Sequence, residues 1–251
     1  IEVANVNDAP VITELTAPQL VTPQAVGEFL VNTHTTNDQS RPAITALTDG
    51  GFVVSWMSNA QDGSSYGIYA QRYDAQGAAV GAEFRVNSYT ADSQMSPAIT
   101  ALSDGGFVVS WMSDAQDGSN SGIYAQRYDA QGAAVGAEFR VNSYTTSYQE
   151  SPAITALSDG GFVVSWESWQ QDGSGYGIYA QRYDAQGVTV DGEFQVNTYT
   201  NSDQGYPSIT GLIDGGFVVS WVSFGQDGLS RLSLCDGCPR TDRDRLLSDR
   251  S

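Results

Sequence analysis

Four of the five tryptophans, Trp56, Trp111, Trp166 and Trp221, stand 55 residues apart, and the sequence around them repeats in the same register. The segment from Pro42 to Trp56 (PAITALTDGGFVVSW) returns almost unchanged from Pro97, Pro152 and Pro207. The run from Arg72 to Thr90 is identical to the run from Arg127 to Thr145. A fixed period of this size means one supersecondary unit copied in tandem, each copy burying its apolar faces against its neighbours. The repeat region spans 28–228, with cores at 42–96, 97–151 and 152–206 and a partial copy at 207–228; 13–27 reads as a linker.

Within one unit the pattern is that of strands. Ile44 to Leu47 is a short apolar run after Pro42, and Thr48-Asp49-Gly50-Gly51 is a hairpin signal because glycine takes positive φ without steric cost. Phe52 to Trp56 is rich in β-branched and aromatic residues, as strands prefer. Gly67 to Tyr73 alternates, Asp74 to Gly77 turns it, and Glu83 to Asn87 alternates again with Phe84 and Val86 on one face. The reading is all-β, with tandem four-stranded antiparallel units. Phe52, Val54 and Trp56 fall on one face and Val53 on the other, so the sheet is apolar on both sides, as in blades packed face to face. A propeller-like arc is the expectation; a β-solenoid or sandwich array is the alternative. A lone sheet of this size cannot bury both faces, so adjacent copies are required.

The balance of charge narrows the partners. There are 29 acidic residues against 11 basic ones, a formal charge of −18, and every basic residue is arginine. An anionic surface repels phosphate backbones and anionic headgroups, which argues against nucleic acid. No apolar run approaches the roughly 20 residues a membrane helix needs, so no membrane insertion is expected. Cysteine is missing from residues 1–234, which excludes a disulfide framework there. Ile1 falls inside what reads as a strand, so the missing leader reads as truncation.

Both ends leave the repeat. Ile1 to Pro10 (IEVANVNDAP) resembles the closing strand and linker of bacterial cadherin-like domains, so 1–12 reads as the end of such a domain. That resemblance implies calcium binding between domains at Asn7 and Asp8, beside the plainer reading of a linker turn. The repeat itself, DGGFVVSW…QDGS..GIYAQRYDAQG…EF.VN, resembles one found in very large secreted bacterial proteins of the RTX or calcium-binding adhesin type. The resemblance implies secretion, an extracellular or cell-surface location, and a role in adhesion or matrix, with neighbouring domains of the same chain as partners. After Gly228 the register breaks, and residues 229–251 hold five of the eleven arginines. This tail reads as non-repeat, disordered or frameshifted. Its Cys235 and Cys238 are half a zinc site with no second half nearby.

Candidate chemistry is thin. Asp62, Asp117 and Asp172 recur in Gln-Asp-Gly loops and are candidate calcium ligands, against a turn-capping role in their own loops. Arg72, Arg127 and Arg182 recur identically and are expected to pair with a carboxylate in each unit. Variable loops on a constant scaffold are where recognition sits, and the stretch 57–66 with its counterparts carries Tyr66, Trp169 and Tyr176, aromatic rings suited to stacking on sugars. Identical units supply no unique catalytic roles, and His34 is the only histidine. The expectation is therefore no enzyme but a non-enzymatic adhesion or ligand-binding array, calcium-stabilised and directed at glycans or cell-surface and matrix components. A passive spacer projecting an adhesive tip comes second, and a glycan-processing enzyme last.

Overall fold

Each unit begins with a reversal that its sequence dictates. Asp49 Oδ1 accepts the Gly51 N–H at 2.9 Å and Gly50 takes φ 87°, so the chain turns sharply. A Cβ on Gly51 would stand 2.3 Å from the Tyr73 carbonyl oxygen, which is why the second glycine is required. In the computed structural model, which describes residues 27–225 and the backbone of 231–235, this turn joins β1 (Gln39–Ala46) to β2 (Phe52–Asn59). Strands β3 (Tyr66–Tyr73) and β4 (Ala79–Arg85) complete the unit. The second unit is β5 (Gln94–Ala101), β6 (Phe107–Asp114), β7 (Ser121–Tyr128) and β8 (Ala134–Arg140). The third is β9 (Gln149–Ala156), β10 (Phe162–Trp169), β11 (Tyr176–Tyr183) and β12 (Thr189–Gln195). The fourth holds β13 (Gln204–Gly211), β14 (Phe217–Ser223) and β15 (Arg231–Cys235).

Every sheet is an antiparallel meander in chain order, four-stranded in the first three units and three-stranded in the last among the described residues. The first strands β1, β5, β9 and β13 adjoin one another, while β4, β8 and β12 lie at the exposed rim. The sheets therefore stand as blades in a propeller-like arc. No helix occurs among the described residues.

The cores lie between blades. Val53, Met57, Ile68 and Ala70 of the first unit, with Leu47 and Val86, pack on Phe107, Val109, Trp111, Tyr124 and Tyr128 of the second. The same set recurs one period on, between Leu102, Val108 and Ile123 and Phe162, Val164 and Trp166, and again in the third junction. Trp111 and Trp166 are fully buried there. A fully buried large apolar side chain contributes about 1.5–3 kcal/mol, so most stabilisation belongs to the junctions and not to any single sheet.

Asparagine ties each blade to the next. Asn87 Oδ1 accepts the Ile68 N–H at 2.7 Å, while its Nδ2 donates to Gln94 Oε1 at 2.9 Å and to the Tyr89 carbonyl at 2.7 Å. Asn142 and Asn197 repeat this, and Gln149 and Gln204 take the place of Gln94. All six are buried, so these satisfied amides fix where one blade hands the chain to the next.

Two boundaries differ from the sequence pattern. The first strand starts at Gln39 rather than Ile44 and runs through Pro42 by way of a bulge at Arg41. Proline is tolerated there because the ladder already skips a register between Ser40 and Ala43. Within the stretch read from sequence as a non-repeat tail, the backbone of Arg231–Cys235 pairs with β14 from Ser223↔Arg231 to Val219↔Cys235. That strand satisfies a ladder edge β14 would otherwise leave open. Residues 236–251, with Cys238, lie outside the described residues, as do Asn7 and Asp8.

Candidate functional site

The units are alike at one end of the blades and unlike at the other. The conserved end carries the Asp-Gly-Gly turns and the ion pairs expected of the recurring arginines. Arg72 pairs with Asp49, Arg127 with Asp104 and Arg182 with Asp159, the last two at 2.5 Å. The divergent end gathers the starts of the innermost strands and the loops after the second strands.

Each innermost strand enters through a bulge whose central residue is not glycine. Arg41, Ser96, Ser151 and Tyr206 take φ of 51°, 54°, 52° and 57°. Left-handed backbone at a non-glycine residue costs of order 1–3 kcal/mol and persists only where the surroundings enforce it. The bulge turns the backbone N–H toward the preceding blade. Across the first junction the Ser96 N–H points at Met57 Sδ, 3.3 Å away. Across the third, the Tyr206 N–H donates to Glu167 Oε1 at 2.5 Å. Methionine at this position in the first two units has become glutamate in the third.

Glu167 is only 7% exposed. Burial pushes its carboxyl above the ordinary glutamate range. The Tyr206 N–H and the Ser151 hydroxyl oppose that rise, and the charges of Glu150 and Asp203 add to it. Glu150 is the direct cross-strand partner of Glu167, on β9 against β10, so both side chains leave the same face. Glu150 Oε2 accepts the Tyr176 hydroxyl at 3.1 Å. Burial and then the Glu150 charge drive that phenol upward, so it stays a donor. Tyr176 packs edge-on against Trp169 with centroids 4.8 Å apart, and the two are cross-strand partners.

Asp203, on the approach to β13, closes the group from the fourth unit. Its Oδ1 accepts the Tyr176 N–H at 3.0 Å, and a Cβ on Gly175 would come within 2.0 Å of that oxygen. Asp114 of the second unit is raised by burial and by the charges of Asp92 and Glu150. Tyr148 and Tyr206 expose 43% and 70% of their surface at this end. One junction thus combines a buried carboxyl pushed upward by burial, a second carboxyl hydrogen-bonded to a phenol, and flanking aromatic rings.

Of the residues expected from sequence, Trp169 and Tyr176 meet here. Tyr66 does not; it packs against the first inter-blade core. Asp62, Asp117 and Asp172 sit in three separate loops, where each Oδ1 accepts a loop N–H at 3.1 Å, from Ser64, Ser119 and Ser174. Glu150, Glu167 and Asp203 were not singled out. Their signal was in the repeat itself: Ser40, Met95, Glu150 and Gly205 share one column, and Met57, Met112, Glu167 and Val222 another.

No protein-family model and no curated protein matches the chain. Solved structures do. The Hadza microbial sialidase Hz136 matches at a TM-score of 0.55 and 12% identity, over 78% of this chain and 44% of its own. An endo-arabinase from Bacteroides thetaiotaomicron matches at 0.48 and 17%, over 80% and 75%. An α-L-arabinofuranosidase from Lactobacillus brevis matches at 0.46 and 11%, over 78% and 72%. The shared feature is the bladed all-β fold. Two expectations are corrected by these matches, the absence of an enzyme and the non-enzymatic adhesion or spacer role. The matched structures are glycan-processing enzymes by name. The premise of interchangeable units also fails, because Glu150 and Glu167 occur in one unit alone.

Proposed function

We propose that this chain is a glycan-processing propeller segment whose reactive centre is the Glu150–Glu167 pair. The observation that carries the reading is the environment of two carboxyls that leave the same sheet face as direct cross-strand partners. Glu167 is buried and burial pushes its carboxyl above the ordinary glutamate range, the direction of shift that suits a general acid. Glu150 is half-buried and oriented by the Tyr176 hydroxyl, the condition for the carboxylate that assists water or attacks. Glycoside cleavage asks for such a pair, one carboxyl to protonate the leaving oxygen and one to act from the other side. Trp169 and Tyr176 supply ring faces beside the pair, which suits sugars with their apolar C–H faces. An extracellular location belongs to the same reading and rests on the repeat's resemblance to secreted RTX-type proteins.

The test is turnover. The chain, incubated with a panel of chromogenic glycosides including a sialoside, is expected to release the chromophore, and the Glu167→Gln variant to lose about 10²-fold or more. No release from any member of the panel would contradict the proposal.

Calcium is a separate proposal. Gln61 Oε1 and Asp62 Oδ2 are buried without a hydrogen-bond donor, as are Gln116 Oε1 and Asp117 Oδ2. Calcium takes about six to eight oxygens. Two per loop fall well short of a cage, so water would fill most of the shell. A melting temperature raised by calcium and lowered by chelator would support binding there; no shift would remove it.

A further inference from the structure

We infer that the two ends of the arc are complementary halves of one more blade junction, and that a second copy of this chain fills it head to tail. The starting observation is a segment ahead of the first strand that repeats the end of a blade. Glu28-Phe29-Leu30-Val31-Asn32 lies one period before Glu83-Phe84-Arg85-Val86-Asn87 and repeats its pattern. It also occupies the same place against the next blade. Phe29 meets Tyr73 at 5.3 Å and 55°, as Phe84 meets Tyr128 at 5.3 Å and 56°. Tyr73 donates its hydroxyl to the Val31 carbonyl at 2.8 Å, as Tyr128 does to the Val86 carbonyl at 3.4 Å. Residues 28–32 therefore stand against the first blade where the final segment of a preceding blade stands at the other junctions.

The other end shows the converse. The last sheet, β13-β14-β15, has three strands among the described residues and lacks a fourth. Its outward face is open. Along β14 burial alternates, with Val218 and Val222 half-exposed, whereas β6 and β10 are buried on both faces along nearly their whole length. Val108 and Val163, the counterparts of Val218, are fully buried by the following blade.

The first blade has the matching open face. Ile44 is 65% exposed, while Ile99 and Ile154 at the same place pack into the junction cores. Pro42 is exposed where Pro97 and Pro152 are buried. Beside them lies a cleft of about 240 Å³ lined by Phe29, Val31, Gln39, Pro42, Val54 and Trp56. Three junctions in the same chain show what covers such a face: the outward face of a preceding blade, with its Leu, Val and Ile side chains. The open face of the fourth blade is that surface, and residues 28–32 hold the position of the fourth strand that its sheet lacks among the described residues. A contact of this kind is heterologous, so it either closes into a ring or extends.

The experiment uses two singly blocked chains, each altered at a position the isolated molecule leaves exposed or half-exposed. Ile44→Asp blocks the head and Val218→Asp blocks the tail. Sedimentation over a concentration series, under reducing conditions, is expected to show wild-type chain self-associating. Each variant alone is expected to associate at least about tenfold more weakly, with an unchanged circular dichroism spectrum. An equimolar mixture of the two is expected to form a 1:1 dimer, because each retains one competent end. A wild-type chain that stays monomeric overturns the proposal and leaves the cleft to a further unit of the same polypeptide. A mixture no larger than its components, or variants that associate like wild type, overturns it as well.

Discussion

The Tyr206 N–H reaches Glu167 Oε1 at 2.5 Å across the third junction, where the first junction sets the Ser96 N–H against Met57 Sδ at 3.3 Å. One substitution has turned a packing contact into a buried, charge-capable one without moving the bulge. Returning the repeat's own residue separates stability from chemistry. Glu167→Met is expected to gain about 1 kcal/mol in urea unfolding, since it removes a buried carboxyl and restores the sulfur contact. Glu167→Ala is expected to lose about 2–3 kcal/mol, because the Tyr206 N–H loses its partner and a void remains. Both are expected to abolish turnover.

The raised carboxyl of Glu167 also sets a sign for pH. Its folded value lies above its unfolded value, so the folded state holds more protons in the window between them. Stability from this group is therefore greatest on the acid side and falls as pH rises through that window. In Glu167→Gln that decline is expected to disappear from a plot of unfolding free energy against pH. A decline of equal size in the variant would assign it to another group.

At the alkaline end the buried phenols take over. Burial, then the charge of Asp117, raises Tyr124 to about 12, and burial raises Tyr128 and Tyr183 further. Unfolding returns each to the ordinary value near 10.0, so the stability held below that pH is lost as pH rises beyond it. Absorbance of tyrosinate is expected to appear together with the loss of tertiary signal, not before it. Smooth titration of all 13 tyrosines within an intact fold would contradict this.

Gly106 tests the conserved end. A Cβ there would lie 2.3 Å from the Tyr128 carbonyl oxygen, on backbone that cannot swing aside. Gly106→Ala is expected to cost about 1–3 kcal/mol in thermal or urea unfolding. Gly118→Ala is also unfavourable because Gly118 takes φ 89°, but it meets nothing within 4 Å, so it should cost less.

The fold was largely legible because the repeat made its own alignment. The 55-residue register placed Phe52 to Trp56 as a doubly buried strand, and the structure puts Val53 and Trp56 on opposite faces, both covered. The entry of the first strand was less legible, since a proline and a left-handed residue hide a strand start. The paired carboxyls were harder still. Glu150 and Glu167 lie 17 positions apart in sequence, and only the β9–β10 register makes them neighbours. The repeated features drew attention to Asp62 and its counterparts, which cap their own turns, while chemistry gathers where the copies disagree. Trp169 and Tyr176 were found because aromatic substitutions in a variable loop are conspicuous; a glutamate in an acidic chain is not.

The most direct measurement compares turnover by wild-type chain with that by Glu150→Gln, Glu167→Gln and Glu83→Gln. Glu83 is the instructive control, a carboxyl that recurs in every full unit and is held by Gln61 and Thr33. The account predicts losses of about 10²-fold or more for the first two variants and wild-type rates for the third. Equal rates across all four proteins, or losses confined to Glu83→Gln, would contradict it.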